Sequence, residues 1–264
     1  MKQRVISAIV ALLIAIPVIL IGSYAYYVGV AVLAIIGYYE MLKVREKEKK
    51  INNHVKILTM LSYLFIVISA CFKEASFNVD YRLFILDLFV CFLPLIVLDK
   101  KEYDAEDALV LVAVTMFLGI AFSFLITIRR MDLLYLLYVL IVTIMSDTFA
   151  HFFGTKIGRH KLCPEVSPNK TVEGMIGGVT FGTFIGTVFF ITFINTDINI
   201  YLIGVITLAL SIIAEFGDLV FSAIKRRYGV KDYGNIMPGH GGVLDRLDSL
   251  FFALLAFSYL VSFF

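Results

Sequence analysis

Along this chain apolar residues arrive in long blocks separated by short polar stretches, without the alternation of a half-buried strand or the narrow stripe of a water-facing helix. Nine such blocks can be drawn, at about 5–21, 24–41, 55–72, 83–98, 108–128, 133–151, 175–194, 201–224 and 243–264. A hydrocarbon core about 30 Å thick needs roughly 20 residues of helix at 1.5 Å each. The pattern therefore predicts an all-α, polytopic integral membrane protein of about nine transmembrane helices. The first block follows Lys2 and Arg4, shows no small-residue cleavage site and is followed by many like it, so it reads as a retained span.

Composition agrees: 60% of the 264 residues are hydrophobic and 17% charged, with a strongly positive mean hydropathy. With the N-terminus cytoplasmic, all but Lys73, Arg82, Arg129 and Arg130 of the 23 Lys and Arg residues fall inside. That choice gives the cytoplasm the basic segment Lys43 to Lys50 and two longer late loops, 155–173 and 227–242. The basic segment reads as a topology anchor beside anionic membrane lipid. A net charge of +2 gives no footing for nucleic acid. Cys71, Cys91 and Cys163 are too few and scattered for a disulfide framework.

Charge inside the apolar blocks is lopsided. Well inside the first five the only acid is Asp87, which reads as a hydrogen-bonded packing residue, whereas the last four hold Asp147, Glu215, Asp218, Asp245 and Asp248. Ionisable groups in hydrocarbon cost a few kcal/mol or more unless paired, hydrated or metal-bound, so a cluster of them marks a site. Asp218, Ser222 and Lys225 follow one another at helical spacing, and Asp245 and Asp248 lie one turn apart just after Gly241 and Gly242. Residues 1–132 are thus expected to form a transmembrane scaffold, and 133–264 a catalytic region with cytoplasmic loops.

Carboxylates gathered in this way repel one another, and a hard divalent cation, Mg²⁺ or in its place Mn²⁺, would relieve the repulsion and join them to substrate phosphates. Lys225, Arg226, Arg227, Lys231 and Arg246, with the run Pro238-Gly239-His240-Gly241-Gly242, are suited to phosphate. Gly174, Gly178, Gly182 and Gly186 form a period-four ladder that could serve a homodimer face or internal packing equally well.

The stretch from Ser222 to Asp248 resembles the signature of the phosphatidate cytidylyltransferases, or CDP-diacylglycerol synthases. The matching positions are Ser222, Lys225, Arg226, Lys231, Asp232, Gly234, Pro238, His240, Gly241, Gly242, Asp245, Arg246 and Asp248. A second segment, Ser146 to Ala150 with Phe153-Gly154 and then Ser167 to Gly174, resembles the family's other recurring motif, departing from it at His151, Asn169 and Val172. The resemblance implies a Mg²⁺-dependent transfer in which phosphatidate attacks the α-phosphorus of CTP and pyrophosphate leaves. It implies Asp218, Asp245 and Asp248 as metal and catalytic carboxylates, with Asp147 a further metal ligand and Lys225 a catalytic cation. Lys170, Ser222, Arg226, Lys231 and Arg246 would bind substrate, and His240, Gly241 and Gly242 would form the nucleotide-side loop. It places the protein in a bacterial inner membrane with its site facing the cytoplasm.

Two other classes compete. A secondary transporter or ion channel would show inverted repeats, and the first half carries no counterpart of the acidic and basic motifs of the second. A polyprenol or phytol kinase-like enzyme is the nearer rival. An enzyme consuming CDP-diacylglycerol would carry an Asp-Gly-x-x-Ala-Arg pattern, which this sequence lacks.

Overall fold

Local chemistry sets where the helices begin and stop. A computed structural model describes residues 2–72, 80–194, 198–236, 239 and 241–261; Lys73, Pro238 and His240 lie outside the described residues. The chain forms α1 (Lys2–Ile21), α2 (Ser23–Arg45), α3 (Asn53–Phe72), α4 (Tyr81–Phe92), a single turn α5 (Pro94–Val97), α6 (Ala105–Met131) and α7 (Leu133–Ile157). A hairpin β1 (Lys161–Cys163) and β2 (Ser167–Thr171) precedes α8 (Val172–Phe189), α9 (Ile200–Arg227) and α10 (Leu244–Leu260).

Side-chain oxygens of Asp80, Asp132, Thr171 and Asn199 accept backbone N–H groups in the first turns of α4, α7, α8 and α9. The expected block 83–98 is broken, because Pro94 has no N–H to continue α4 and starts a separate turn. Among the described residues six helices, α2, α3, α6, α7, α8 with its π-helical extension to Ile194, and α9, are long and apolar enough to cross a membrane. By comparison α4 has 12 residues and α10 has 17.

Two compact units result, one of 1–131 with 232–245 and one of 132–231 with 246–264. Residues 232–245, expected with the C-terminal region, group with the first unit because their backbone is bonded to α2, as described below. In this unit Asp87 accepts hydrogen bonds from Ser62 Oγ at 2.7 Å and Thr115 Oγ1 at 2.6 Å, joining α3, α4 and α6 around one fully buried carboxyl. The basic segment is more than an anchor: Arg45, only 6% exposed, and Lys49 bind Asp107 at 2.9 and 2.6 Å. Lys49 also reaches Asp104 at 2.7 Å, and hydrogen bonds to Asp104 and Asp107 hold its ammonium above the ordinary lysine value. Arg129 donates to the carbonyls of Ile19 and Leu20, and Arg130 to that of Ala70, so both cations serve helix C-terminal ends.

In the second unit the glycine ladder faces inward. All four glycines are buried, and a Cβ would stand 2.7 Å from Ala150 O at Gly174 and 2.6 Å from Ser146 O at Gly178. At Gly182 it would stand 2.9 Å from Ser211 Oγ, and at Gly186 2.5 Å from Val142. The ladder therefore seats α8 against α7 and α9. Tyr138 and Thr207 share a 2.7 Å hydrogen bond that also ties α7 to α9.

Gly178→Val should lower stability by about 2–3 kcal/mol, because backbone has to give way. Gly204→Ala, with nothing within 4 Å of the new methyl, should be neutral or stabilising by up to about 1 kcal/mol. Thermal unfolding in detergent checks both.

Candidate active site

Where α7 ends, β2 leads into α8 and α9 passes through its second half, the second unit gathers its charge. Thr171 closes the first turn of α8 by accepting from Gly174 N at 3.1 Å. That cap fixes the preceding Lys170, whose ammonium lies 2.9 Å from Glu215 Oε2 and 2.8 Å from Asp218 Oδ2. Burial alone would depress the Lys170 pKa, but the combined pull of Asp218 and Glu215 holds it above the ordinary lysine value.

Glu215 is only 1% exposed. Its other oxygen accepts from Ser146 Oγ at 3.2 Å, and Ser146 in turn receives a bond from Ser211 Oγ at 3.0 Å. Two helices, α7 and α9, and the hairpin thus hold a carboxylate that sequence analysis noticed but gave no role. Its signal was its position three residues before Asp218 on the same stripe.

Asp218 is half-buried, accepts from Ser222 Oγ at 3.3 Å, and its carboxyl meets that of Asp248. The Lys225 ammonium is within electrostatic reach of both acids, and the residue is 8% exposed. Asp147 joins through Ser249, whose Oγ donates to Asp147 Oδ2 at 2.9 Å. Asp147, Glu215, Asp218 and Asp248 thus face two ammonium groups, Lys170 and Lys225.

Neighbouring carboxyl groups repel one another unless a proton or cation lies between them, so Asp218 and Asp248 would suit a divalent ion. Among the described residues no three His, Cys, Asp or Glu side chains form a ready cage. A site of one or two carboxylates completed by substrate phosphates is the arrangement Mg²⁺ favours.

A cavity of about 490 Å³ opens next to this cluster, lined among others by His151, Thr155, Asn169, Lys170, Thr171 and Glu215. His151 and Asn169, two positions that depart from the family pattern, therefore share one lining.

Other expected residues divide in placement. Arg226 donates to the carbonyls of Val166 at 3.0 Å and Val230 at 3.1 Å, so its guanidinium ties the hairpin to the turn after α9. Lys231 and Arg246 are exposed. His240 falls outside the described residues.

In the first unit, Asp245 Oδ2 accepts from Tyr233 N at 2.8 Å and Gly242 N at 2.9 Å. That carboxylate folds the turn that opens α10, where Gly241 takes φ of +84°, a conformation that favours glycine. On the same turn Glu40 accepts from Val243 N at 3.0 Å and Leu244 N at 2.9 Å. Sequence analysis missed Glu40 because it reads as the tail of the second apolar block.

A family model described as the cytidylyltransferase family matches residues 2–264. The chain is 37% identical over 254 residues to a phosphatidate cytidylyltransferase of Staphylococcus haemolyticus (strain JCSC1435), the match covering 96% of both. It is 34% identical over 256 residues to that of Staphylococcus aureus (strain COL), again covering 96% of each. A third, from Staphylococcus saprophyticus, is 37% identical over 259 residues with the same coverage.

Removing the lysine leaves Glu215 buried without its counter-charge. Lys170→Met should therefore cost about 3 kcal/mol, and the double variant Lys170→Met/Glu215→Gln should recover most of it. Unfolding midpoints in detergent of the wild type, Lys170→Met, Glu215→Gln and the double variant would show additive losses if the clasp carried no stability.

Proposed function

The chain belongs to the cytidylyltransferase family, and on that premise we propose that it meets CTP and phosphatidate at the cytoplasmic face of a bacterial inner membrane and joins them. It is a multi-pass membrane nucleotidyltransferase of phospholipid biosynthesis, a phosphatidate cytidylyltransferase that makes CDP-diacylglycerol and pyrophosphate.

The observation that carries the mechanistic reading is the meeting of Asp218 and Asp248 beside Lys170 and Lys225. Asp218 and Asp248, with Asp147 attached through Ser249, would hold Mg²⁺ or Mn²⁺, which when bound neutralises phosphate charge and links the substrates to the carboxylates. Asp245, whose Oδ2 is held by Tyr233 N and Gly242 N in the first unit, is assigned a catalytic role of its own.

The phosphate monoester of phosphatidate is already anionic at neutral pH, so its oxygen needs no general base. It attacks the α-phosphorus of CTP, a new P–O bond forms, the α–β anhydride bond breaks, and pyrophosphate leaves with the bonding electrons. The protein's work is positioning and charge compensation. Lys225, within electrostatic reach of Asp218 and Asp248, supplies positive charge where phosphoryl oxygens gather. Lys170, already shared by two carboxylates, orients Asp218.

Lys231, Arg246 and Ser222 are assigned to substrate binding, and His240 with Gly241 and Gly242 to the nucleotide side. Arg226 contributes by holding the hairpin that carries Lys170, and the N–H groups left by its two carbonyl bonds remain for phosphate. The acyl chains stay among the apolar helices while the head group reaches CTP at the boundary.

Purified protein in mixed micelles containing phosphatidate should release pyrophosphate from CTP with Mg²⁺ and stop when EDTA is added. Asp218→Asn and Asp248→Asn should each reduce turnover at least about 100-fold while the proteins remain folded. Wild-type rates in either variant would remove that residue from the mechanism, and undiminished turnover in EDTA would remove the cation.

A further inference from the structure

We infer that Glu40, on α2, is a positioning residue for the turn and first helical residues that carry Gly241, Gly242 and Asp245. The inference rests on the proposed role of those three residues.

A helix begins with N–H groups that have no partner within it. At the start of α10, Val243 N and Leu244 N each donate to a separate oxygen of Glu40, at 3.0 and 2.9 Å. Gly242 N and Tyr233 N donate to Asp245. The three successive amides of Gly242, Val243 and Leu244, with that of Tyr233, are therefore met by two carboxylates, one from the helix itself and one from 203 residues earlier in the chain.

The space around Glu40 is shaped for a carboxylate. The residue is 7% exposed. A Cβ on Gly234 would fall 2.2 Å from Glu40 Oε1, and one on Gly242 2.3 Å from it. Any side chain at either glycine would expel the carboxylate, so the glycines and the acid form one fitted unit. Gly37, one helical turn before Glu40, is packed against Leu244 in the same way, its Cβ position 3.0 Å from the leucine side chain. The start of α10 is thus gripped by both backbone and side chain.

A simple tether would be satisfied by apolar contact. An ionised group at the end of a long apolar helix is costly, and this one is spent on amide groups beside Asp245. Its negative charge also favours the positive end of α10. Because Asp245 bonds to Gly242 N, next to the amide that Glu40 holds, displacing Glu40 frees the backbone that orients the Asp245 carboxylate.

Glu40→Gln keeps the volume but turns an N–H donor toward an amide N–H. In the full-length protein it should lower kcat for pyrophosphate release about 10- to 100-fold while KM for CTP changes little. Hydrogen exchange across 232–245 should quicken while α3 and α6 keep wild-type protection. Gly234→Ala, which drives a methyl group into the carboxylate, should reproduce both effects, and Glu40→Asp should retain more activity than Glu40→Gln. Wild-type kcat in Glu40→Gln, or a loss that vanishes when rates are normalised to folded protein, would overturn the inference. Should Glu40→Gln fail to fold, Gly234→Ala is read by the same two measurements. Absence of turnover in the wild-type protein would overturn the proposed function instead, while exchange at 232–245 would still report whether Glu40 holds the turn.

Discussion

A carboxylate among apolar helices persists only where donors meet it, and the kind of donor decides what the group is free to do. In the first unit Asp87 is met by hydroxyl groups, Asp107 by Arg45 and Lys49, and Glu40 by backbone amides. Each of these acids is fully employed in holding elements together. In the second unit Glu215 is similarly occupied by Lys170 and Ser146. Asp218 and Asp248 are different, since each faces another acid. Lys170 and Lys225 offset part of that negative charge, and the proposed divalent cation would offset more while joining the acids to substrate phosphates.

Close backbone approach makes the second unit possible. Because Gly174, Gly178, Gly182 and Gly186 lack side chains, α8 settles onto α7 and α9. Ser146 and Ser211 then fall near Glu215, and the Thr171 cap presents Lys170 to the same point. Packing by the smallest residue and placement of a long cationic side chain are consecutive parts of one segment. Without the ladder the hairpin would have no fixed base from which Lys170 could reach two acids.

Much of this was legible because apolar periodicity and charge are both local signals. Long apolar blocks announced the helices, and the spacing of Asp218, Ser222 and Lys225 announced a polar stripe that survives in α9. The reading of Asp87 as a packing residue agrees with its two hydroxyl donors. Less legible were features that depend on partners distant in sequence. Glu40 carries no local mark of its bonds to Val243 and Leu244. The inward direction of the glycine ladder was undecidable from spacing, since internal and external faces share the same period. Arg226 looked like its basic neighbours until carbonyls of Val166 and Val230 were found around it.

The separation between Glu40 and the amides it holds gives the turn a birth order. Ribosomes add roughly 5–20 residues each second, so the 203 residues between Glu40 and Val243 correspond to a wait of about 10–40 s. During synthesis the acid must make do with water or a proton until partners 203 residues further along emerge. A chain released early would leave a fault near its beginning as well as its end, exposing an orphaned acid to whatever machinery inspects newly inserted helices.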